Sequence, residues 1–414
     1  MTTTALRARK TLFLTICVMG FFAIMSSVMA KSPVLKPFAA YLSTPTDWTG
    51  IVASASTIPG ILVSLPAASL SDIYGRKRFL LLAGVIFASA PFFYLLITVW
   101  WQLILVRFYH GFATAIFVPV AEASVAEMFP EKMGERISLF SSATYVGRVS
   151  APTIGGYILY ATSYGFNVLY SVVAAIGFVA LLVLITFLVS ARREERAVPI
   201  DVTRKRLLEG WTVVLGNKGI LVVSLVQAAL YYSYGAAEFY LAGYIPEVAH
   251  QNAFVTGIVL TSIIGVAILA RPYIGRISDR TGRRLPIAIG CVVASVPLLL
   301  IHLVVDFWTL LGLAIVYGIG YAAVTSSTSA LVSELTPKSL LGTAMGVLDT
   351  IMDIGMALGT AVSGLILATQ FYYAGVFSSL GIVLLFAAGV FVLSGVGMRR
   401  NPSVGTGIEE ASNL

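Results

Sequence analysis

Apolar residues in this chain gather into long runs, and polar residues collect in the short gaps between them. Runs long enough to cross hydrocarbon fall near 11–30, 47–70, 79–99, 102–126, 136–160, 165–190, 217–245, 254–273, 285–305, 307–333, 340–368 and 371–397. A spanning helix needs about 20 predominantly apolar residues, so the pattern predicts twelve of them. The first run follows Arg7, Arg9 and Lys10 and ends in Val28-Met29-Ala30, which resembles a signal peptide with its cleavage site. It is longer than a usual signal core and eleven further runs follow, so it reads as a first span.

Composition narrows the class. Of 414 residues, 58% are apolar and only 11% charged, with a mean hydropathy of +0.92. Soluble domains are roughly 45–50% apolar and about 25% charged, so a soluble enzyme is excluded. A disulfide scaffold is excluded too, and so is a transmembrane barrel, whose strands alternate polar and apolar residues. The formal charge of +8 does not point to nucleic acid, because Lys and Arg sit in the gaps instead of on one folded face. Cys17 and Cys291 lie inside apolar runs in opposite halves, as core packing and not as a disulfide or metal pair.

Assigned alternately to two sides, the gaps are lopsided. One side holds the N-terminus, Arg76-Lys77-Arg78, Lys132, Arg136, the segment from Arg192 to Lys218, the gap from Arg276 to Arg284, Lys338 and Arg399-Arg400. The other holds Lys31 and Lys36, which read as solvated outer residues. The positive-inside rule then makes both termini cytoplasmic. The expected organisation is a six-helix bundle at 1–190, a basic cytoplasmic linker at 191–216 that is partly helical on the membrane surface, a second bundle at 217–398, and a cytoplasmic tail at 399–414.

An internal repeat supports two halves. Ser71-Asp72-Ile73-Tyr74-Gly75-Arg76-Lys77 follows the second span, and Ser278-Asp279-Arg280-Thr281-Gly282-Arg283-Arg284 follows the eighth. Asp72 and Asp279 are 207 residues apart, as are Gly75 and Gly282, Glu127 and Glu334, and Pro130 and Pro337. An offset of half the chain, shared by two separate motifs, marks a duplicated six-helix unit.

These residues resemble the major facilitator superfamily of secondary transporters, across essentially the whole chain. Its signature loop, Gly-x-x-x-Asp-Arg-x-Gly-Arg-Arg, is complete from Gly275 to Arg284. The first copy is degraded, with Ala68 in place of the leading Gly and Ile73 in place of the Arg. The resemblance implies an all-α membrane protein with twelve transmembrane helices in two pseudo-symmetric six-helix bundles. It also implies a gating role for Asp72, Gly75, Arg76, Gly275, Asp279, Arg280, Gly282 and Arg283, together with Glu127 and Glu334. In physical terms, Gly permits a tight turn, Asp sits against a helix N-terminus or pairs with Arg, and the cations can meet Glu127 or Glu334.

Two further runs resemble the drug:proton antiporter branch. Arg107-Phe108-Tyr109-His110-Gly111 matches its Arg-x-x-x-Gly pattern, which implies a part for Arg107 in proton coupling. The run from Gly147 to Gly156 resembles the antiporter Gly-x-x-x-Gly-Pro-x-x-Gly-Gly, with Ala151 in place of the Gly before Pro152 and a cation, Arg148, inserted. Gly147, Pro152, Gly155 and Gly156 suit a bendable helix packed closely on a partner.

Charges inside the spans point to the site. A charged side chain at the bilayer centre costs about 2.5–3.5 kcal/mol on the lenient insertion scale. Arg107, Glu122, Arg148, Glu238, Asp349 and Asp353 all lie within runs, and together they would cost on the order of 15–20 kcal/mol facing lipid. That exceeds a typical stability of about 5–15 kcal/mol, so most face a cavity or one another. Asp349 and Asp353, at i and i+4, share a helix face, and crowded carboxylates resist ionising together, as a proton carrier requires. Tyr231, Tyr234 and Glu238 share another face and form a candidate contact for a cationic or hydrogen-bonding solute. Glu122 can neutralise an arginine, and His110 reads as a hydrogen-bonded packing residue.

The expected function is transport of a small organic solute across the cytoplasmic membrane by alternating access, driven by protons, in the direction of efflux. Coupling is assigned to Arg107, Asp349, Asp353 and Glu122, and solute contact to Tyr231, Tyr234, Glu238 and Arg148. The alternative is uptake or exchange of an organic anion on the buried arginines. No Gly-x-x-x-x-Gly-Lys-Ser/Thr loop is present, so ATP is not the energy source. Three scattered histidines, His110, His250 and His302, give no metal spacing and argue against a membrane enzyme. The expected partners are the solute, protons and the lipid bilayer, with no cofactor, no nucleic acid and a monomeric state.

Overall fold

Length and apolarity dictate helices, because backbone polar groups in hydrocarbon must be satisfied within the segment. In the computed structural model every regular element among the described residues is helical. Those residues are 3–190, 214, 216–337 and 340–397; for 3–10, 65, 68, 69, 72, 130, 189 and 190 the description covers the backbone alone. The first half contains α1 (Thr3–Met29), a short α2 (Leu35–Tyr41), α3 (Thr49–Ser54), α4 (Ile58–Tyr74), α5 (Arg76–Leu95), α6 (Trp100–Met128), α7 (Met133–Ala161) and α8 (Phe166–Ser190). The second contains α9 (Lys218–Glu247), α10 (Ala253–Thr281), α11 (Arg284–Leu300), α12 (Phe307–Leu335), α13 (Leu341–Leu367) and α14 (Tyr372–Leu393). The linker at 191–216, save residues 214 and 216, and the tail at 399–414 lie outside the described residues.

Among the described residues, ten helices are long and apolar enough to cross a membrane. The other two of the twelve spans are α7, which carries Glu135, Arg136 and Arg148, and the second span, which the structure divides. The run at 47–70, expected as one helix, breaks between Ser54 and Ile58 into α3 and α4. Pro59 is the physical reason, since it has no N–H to carry the ladder back through Ala55. The Thr57 N–H bonds Ser54 O instead, which leaves the Ala53 carbonyl to another donor.

Asx caps start three helices of the second half. Asn217, Asn252 and Asp306 accept from the backbone N–H groups of Ile220, Val255 and Thr309. The span ends opposite the chain's first residues carry Trp48, Trp100, Trp101 and Trp308, with the Trp48 and Trp100 rings 5.3 Å apart. Such a belt marks one bilayer boundary. The other end, where α1 starts and α14 finishes, is called the terminal face below.

The repeat is written into the contacts. Ser56 O lies against Gly111, and Ile263 O against Gly318, where added side chains would strike them. Each member of the second pair lies 207 residues after its counterpart. Likewise a side chain at Gly50 would strike the Thr360 carbonyl, and one at Gly257 the Pro152 carbonyl, one residue before the counterpart of Thr360, with Thr153 next to it. These last two contacts are the seams between halves: α3 and α4 against α13, and α7 against α10.

The seams hold at one end. Near the tryptophan belt a single apolar core runs from Met25, Met29 and Phe38 into Tyr240, Ile245 and Tyr373 of the second half. Toward the terminal face the first half keeps a core of its own, including Phe13, Ile16, Leu80, Phe117 and Phe140. Cys17 and Cys291 are free and buried in these cores.

Candidate functional site

A cavity of about 920 Å³ lies between the halves. Its lining reaches the terminal-face end of α13 at Gly342 and stops toward the opposite face at Lys31 and Met356. Contacts across the halves close that opposite end. Thr153 donates to Thr261 Oγ1 at 2.7 Å, and Thr261 donates to Val149 O at 3.0 Å. Lys31 Nζ lies 2.7 Å from Glu238 Oε2, and Lys36 Nζ 3.8 Å from Glu247 Oε1. Within the second half, Tyr372 and Tyr373 donate to the same Glu247 at 3.1 and 2.8 Å and hold it toward Lys36.

Lys31 and Lys36 therefore correct the expectation of solvated outer residues. Lys36 is 6% exposed, and both lysines bridge the halves. A long side chain beside a span end can turn inward when the partner half offers a carboxylate, which a single span does not reveal.

The cavity gathers most of the expected site. Arg107 donates to Ala53 O at 3.1 Å and to Ser56 Oγ at 2.6 Å, so it takes up the carbonyl freed by the break in the second span. Arg148 lines the cavity with no hydrogen bond or ion pair among the described residues, and the phenols of Tyr145, Tyr231, Tyr234 and Tyr321 are its electrostatic neighbours. The Tyr234 ring lies 6.0 Å from that of Tyr231 and 4.9 Å from that of Tyr321. Asp349 and Asp353 line the cavity from α13, and Glu122 lines it from α6. None of the three makes an ion pair among the described residues. Glu122 does not neutralise an arginine as expected; its neighbours are Asp349 and Ser141. Glu238 is 5% exposed and does not line the cavity, because Lys31 engages it. His110 is buried, with Nδ1 3.4 Å from the Tyr94 hydroxyl.

Sequence reading missed Arg271. It lies within the expected eighth span, lines the cavity, donates to Tyr145 OH at 3.0 Å and to Thr325 Oγ1 at 3.4 Å, and sits 5.5 Å over the Tyr145 ring. The available signal was a charge inside an apolar run, the same signal that found Arg148.

The loop motifs form pairs within each half. Arg76 Nη1 lies 3.0 Å from Glu127, and Arg283 Nε 2.8 Å from Glu334, with a second Arg283 contact to Asp279. Gly75 and Gly282 have φ of 96° and 88°, where only glycine is unstrained. Gly275 has open space around it, Arg280 is exposed on the terminal face, and the Asp72 side chain lies outside the described residues. In α7, Gly147 packs on Phe21 O of α1, Gly155 on Met29, and Gly156 on Ala253 O of α10, while Pro152 presents its carbonyl to Gly257. The helix is continuous through Pro152.

Two six-helix repeats in a membrane, joined at one end around a cavity lined by charged, aromatic and aliphatic side chains, define a multi-pass membrane transporter. The model of the Major Facilitator Superfamily matches residues 12–268 and again 234–412, and the chain belongs to that superfamily. It is a transporter and not an enzyme. It is similar to an uncharacterised MFS-type transporter of Methanocaldococcus jannaschii, 25% identical over 86% of this chain and 93% of the relative. It is also similar to the multi-drug resistance efflux pump PmrA of Streptococcus pneumoniae, 25% identical over 89% of this chain and 92% of PmrA. The multidrug resistance protein MdtG of Enterobacter lignolyticus is 26% identical, over 85% of this chain and 83% of MdtG. Among solved structures, a bacterial homologue of the human lysosomal transporter Spinster, inward-facing and unoccupied, shares the fold with a TM-score of 0.79. Its identity is 16%, over 96% of this chain and 99% of that one.

Proposed function

We propose that the protein exports a small organic molecule from the cytoplasm in exchange for protons. The observation that carries this reading is the pair of acids on α13. Asp349 and Asp353, with Glu122 opposite, face one cavity and make no ion pair among the described residues, Lys31 being the cation whose charge reaches Asp353. An uncompensated carboxylate in low dielectric favours its protonated form. A cationic solute group that displaces the proton couples the two movements, since each occupant excludes the other. The naming of PmrA as a multi-drug resistance efflux pump and of MdtG as a multidrug resistance protein supports the direction. The basic loops on the terminal face support its assignment to the cytoplasm, and with it both termini, in the cytoplasmic membrane.

In this mechanism Arg107 holds the broken second span against the cavity, and Tyr231, Tyr234 and Arg148 contact the solute. The Lys31–Glu238 and Lys36–Glu247 pairs latch the outer end and must part before the cavity opens outward. Gly75, Gly282 and their ion pairs shape the cytoplasmic loops that meet when the inner end closes. The test is lumenal pH in proteoliposomes challenged with organic cations, neutral amphiphiles and organic anions across a proton gradient. Proton exit driven by inward solute, lost in Asp349→Asn/Asp353→Asn, supports exchange. Proton entry together with an anion supports the second reading, uptake or exchange of an organic anion, which the unpaired Arg148 favours.

A further inference from the structure

The cavity carries both signs of charge and does not neutralise them internally. Arg148 on α7 and Arg271 on α10 line one side together with Tyr145, which accepts from Arg271. Neither arginine has a carboxylate partner among the described residues. Asp349 and Asp353 lie on α13, on the other seam between the halves.

The two signs are not equivalent in low dielectric. A carboxylate can take up a proton and become neutral, whereas a guanidinium stays charged at any physiological pH. A proton can neutralise Asp349 or Asp353 when no solute is bound, but nothing of that kind neutralises Arg148 and Arg271. Their counter-charge must come from the solute, and two planar forks flanked by phenols match a carboxylate or phosphate. The rings of Tyr231, Tyr234 and Tyr321 lie beside this corner and offer an apolar wall to the rest of the molecule.

We propose that the preferred solute is a zwitterion with an aromatic body, its anionic group held by Arg148 and Arg271 and its ammonium held by Asp349 and Asp353. This names the substrate class for the exchange proposed above and rests on that reading. It also gives the solute a grip on both halves, because Arg148 belongs to the first and Arg271, Asp349 and Asp353 to the second.

The test compares three probes with one aromatic body: naphthylalanine, its methyl ester, which is a cation only, and its N-acetyl derivative, which is an anion only. Binding to the purified full-length protein in lipid nanodiscs is measured by calorimetry. Naphthylalanine is expected to bind at least about tenfold tighter than either derivative, about 1.4 kcal/mol. Arg148→Gln and Arg271→Gln each weaken naphthylalanine by a similar factor and leave the ester unchanged, which also shows that the variants are folded. Asp349→Asn/Asp353→Asn weakens naphthylalanine and leaves the N-acetyl derivative unchanged.

Equal affinity for naphthylalanine and either derivative overturns the proposal, as does no naphthylalanine binding at millimolar concentration. Retained naphthylalanine affinity in both arginine variants overturns it as well. Proton flux in proteoliposomes separates this from the underlying reading. Proton exit driven by the ester but not by naphthylalanine overturns the zwitterion and keeps the exchange. Tight naphthylalanine binding with the expected variant pattern but no proton movement overturns the exchange and keeps the zwitterion site.

Discussion

The two halves of this transporter agree in packing and disagree in chemistry. At positions 207 residues apart, Gly50 and Gly257 make corresponding seam contacts, and Gly111 and Gly318 corresponding contacts within their halves. Around the cavity the same offset relates unlike residues. Ser27 of the first half corresponds to Tyr234 of the second, Ser64 to Arg271, and Thr114 to Tyr321, and all six line the cavity. Glu122 likewise corresponds to Ser329. The repeat builds a symmetric container, and substitutions at equivalent positions make its lining asymmetric. Lys31 and Glu238 are the limiting case. They too are 207 residues apart, and they touch each other, as residues on a pseudo-twofold axis must.

The on-axis pair offers the strongest test of the comparison. Removing one partner leaves the other charge at the interface, so Lys31→Met or Glu238→Gln should lower stability by about 2–3 kcal/mol. The value sits at the low end because the Lys31 side chain is 24% exposed. Since the positions are equivalent, the exchange Lys31→Glu/Glu238→Lys should recover most of that loss in thermal unfolding. Failure of the exchanged pair to recover would break the symmetry.

Matched glycines come next. Gly50→Leu and Gly257→Leu should each cost about 1–3 kcal/mol by overpacking against backbone, with similar losses of transport. Gly342→Ala, with open space around it, should leave unfolding unchanged. A large defect in only one of the matched pair would mean that the seams are not equivalent.

Installing first-half chemistry in the second half should separate packing from recognition. Arg271→Ser and Tyr321→Thr should reduce transport by about tenfold, roughly 1.4 kcal/mol, while Arg271→Ser, which removes an uncompensated charge, should not lower the unfolding temperature. The smallest effects belong to the loops. Glu127→Ala and Glu334→Ala each break an exposed pair, worth about 0.2–1 kcal/mol in thermal unfolding, and the two should be alike.

The spans were legible because twenty-residue apolar runs leave the backbone no alternative to helix, and the halves were legible because Asp72, Gly75 and Glu127 recur at one offset. The break in the second span was not read, although Pro59 marks it, because the surrounding Ala-Ser-Thr-Ile residues keep the run apolar on average. Arg271 sits two residues from the end of its expected run, where a charge passes for a loop residue. The inward turn of Lys31 and Lys36 was invisible for a deeper reason. It depends on carboxylates of the other half, and the offset that pairs Lys31 with Glu238 becomes informative only once the axis is known to pass between them.

In the proposed cycle the tryptophan-belt (outer) ends of the halves are latched while the terminal-face (inner) ends stand apart, with the Lys31–Glu238 pair holding this state. The most direct measurement is a pair of spin-label distances, Ser163 to His250 across the outer loops and Ser138 to Thr281 across the inner ends, after Cys17 and Cys291 are replaced by serine. A short outer and a long inner distance are expected in the wild-type background, with Glu238→Gln lengthening the first and shortening the second together. Unchanged distances in Glu238→Gln, or both lengthening at once, would contradict it.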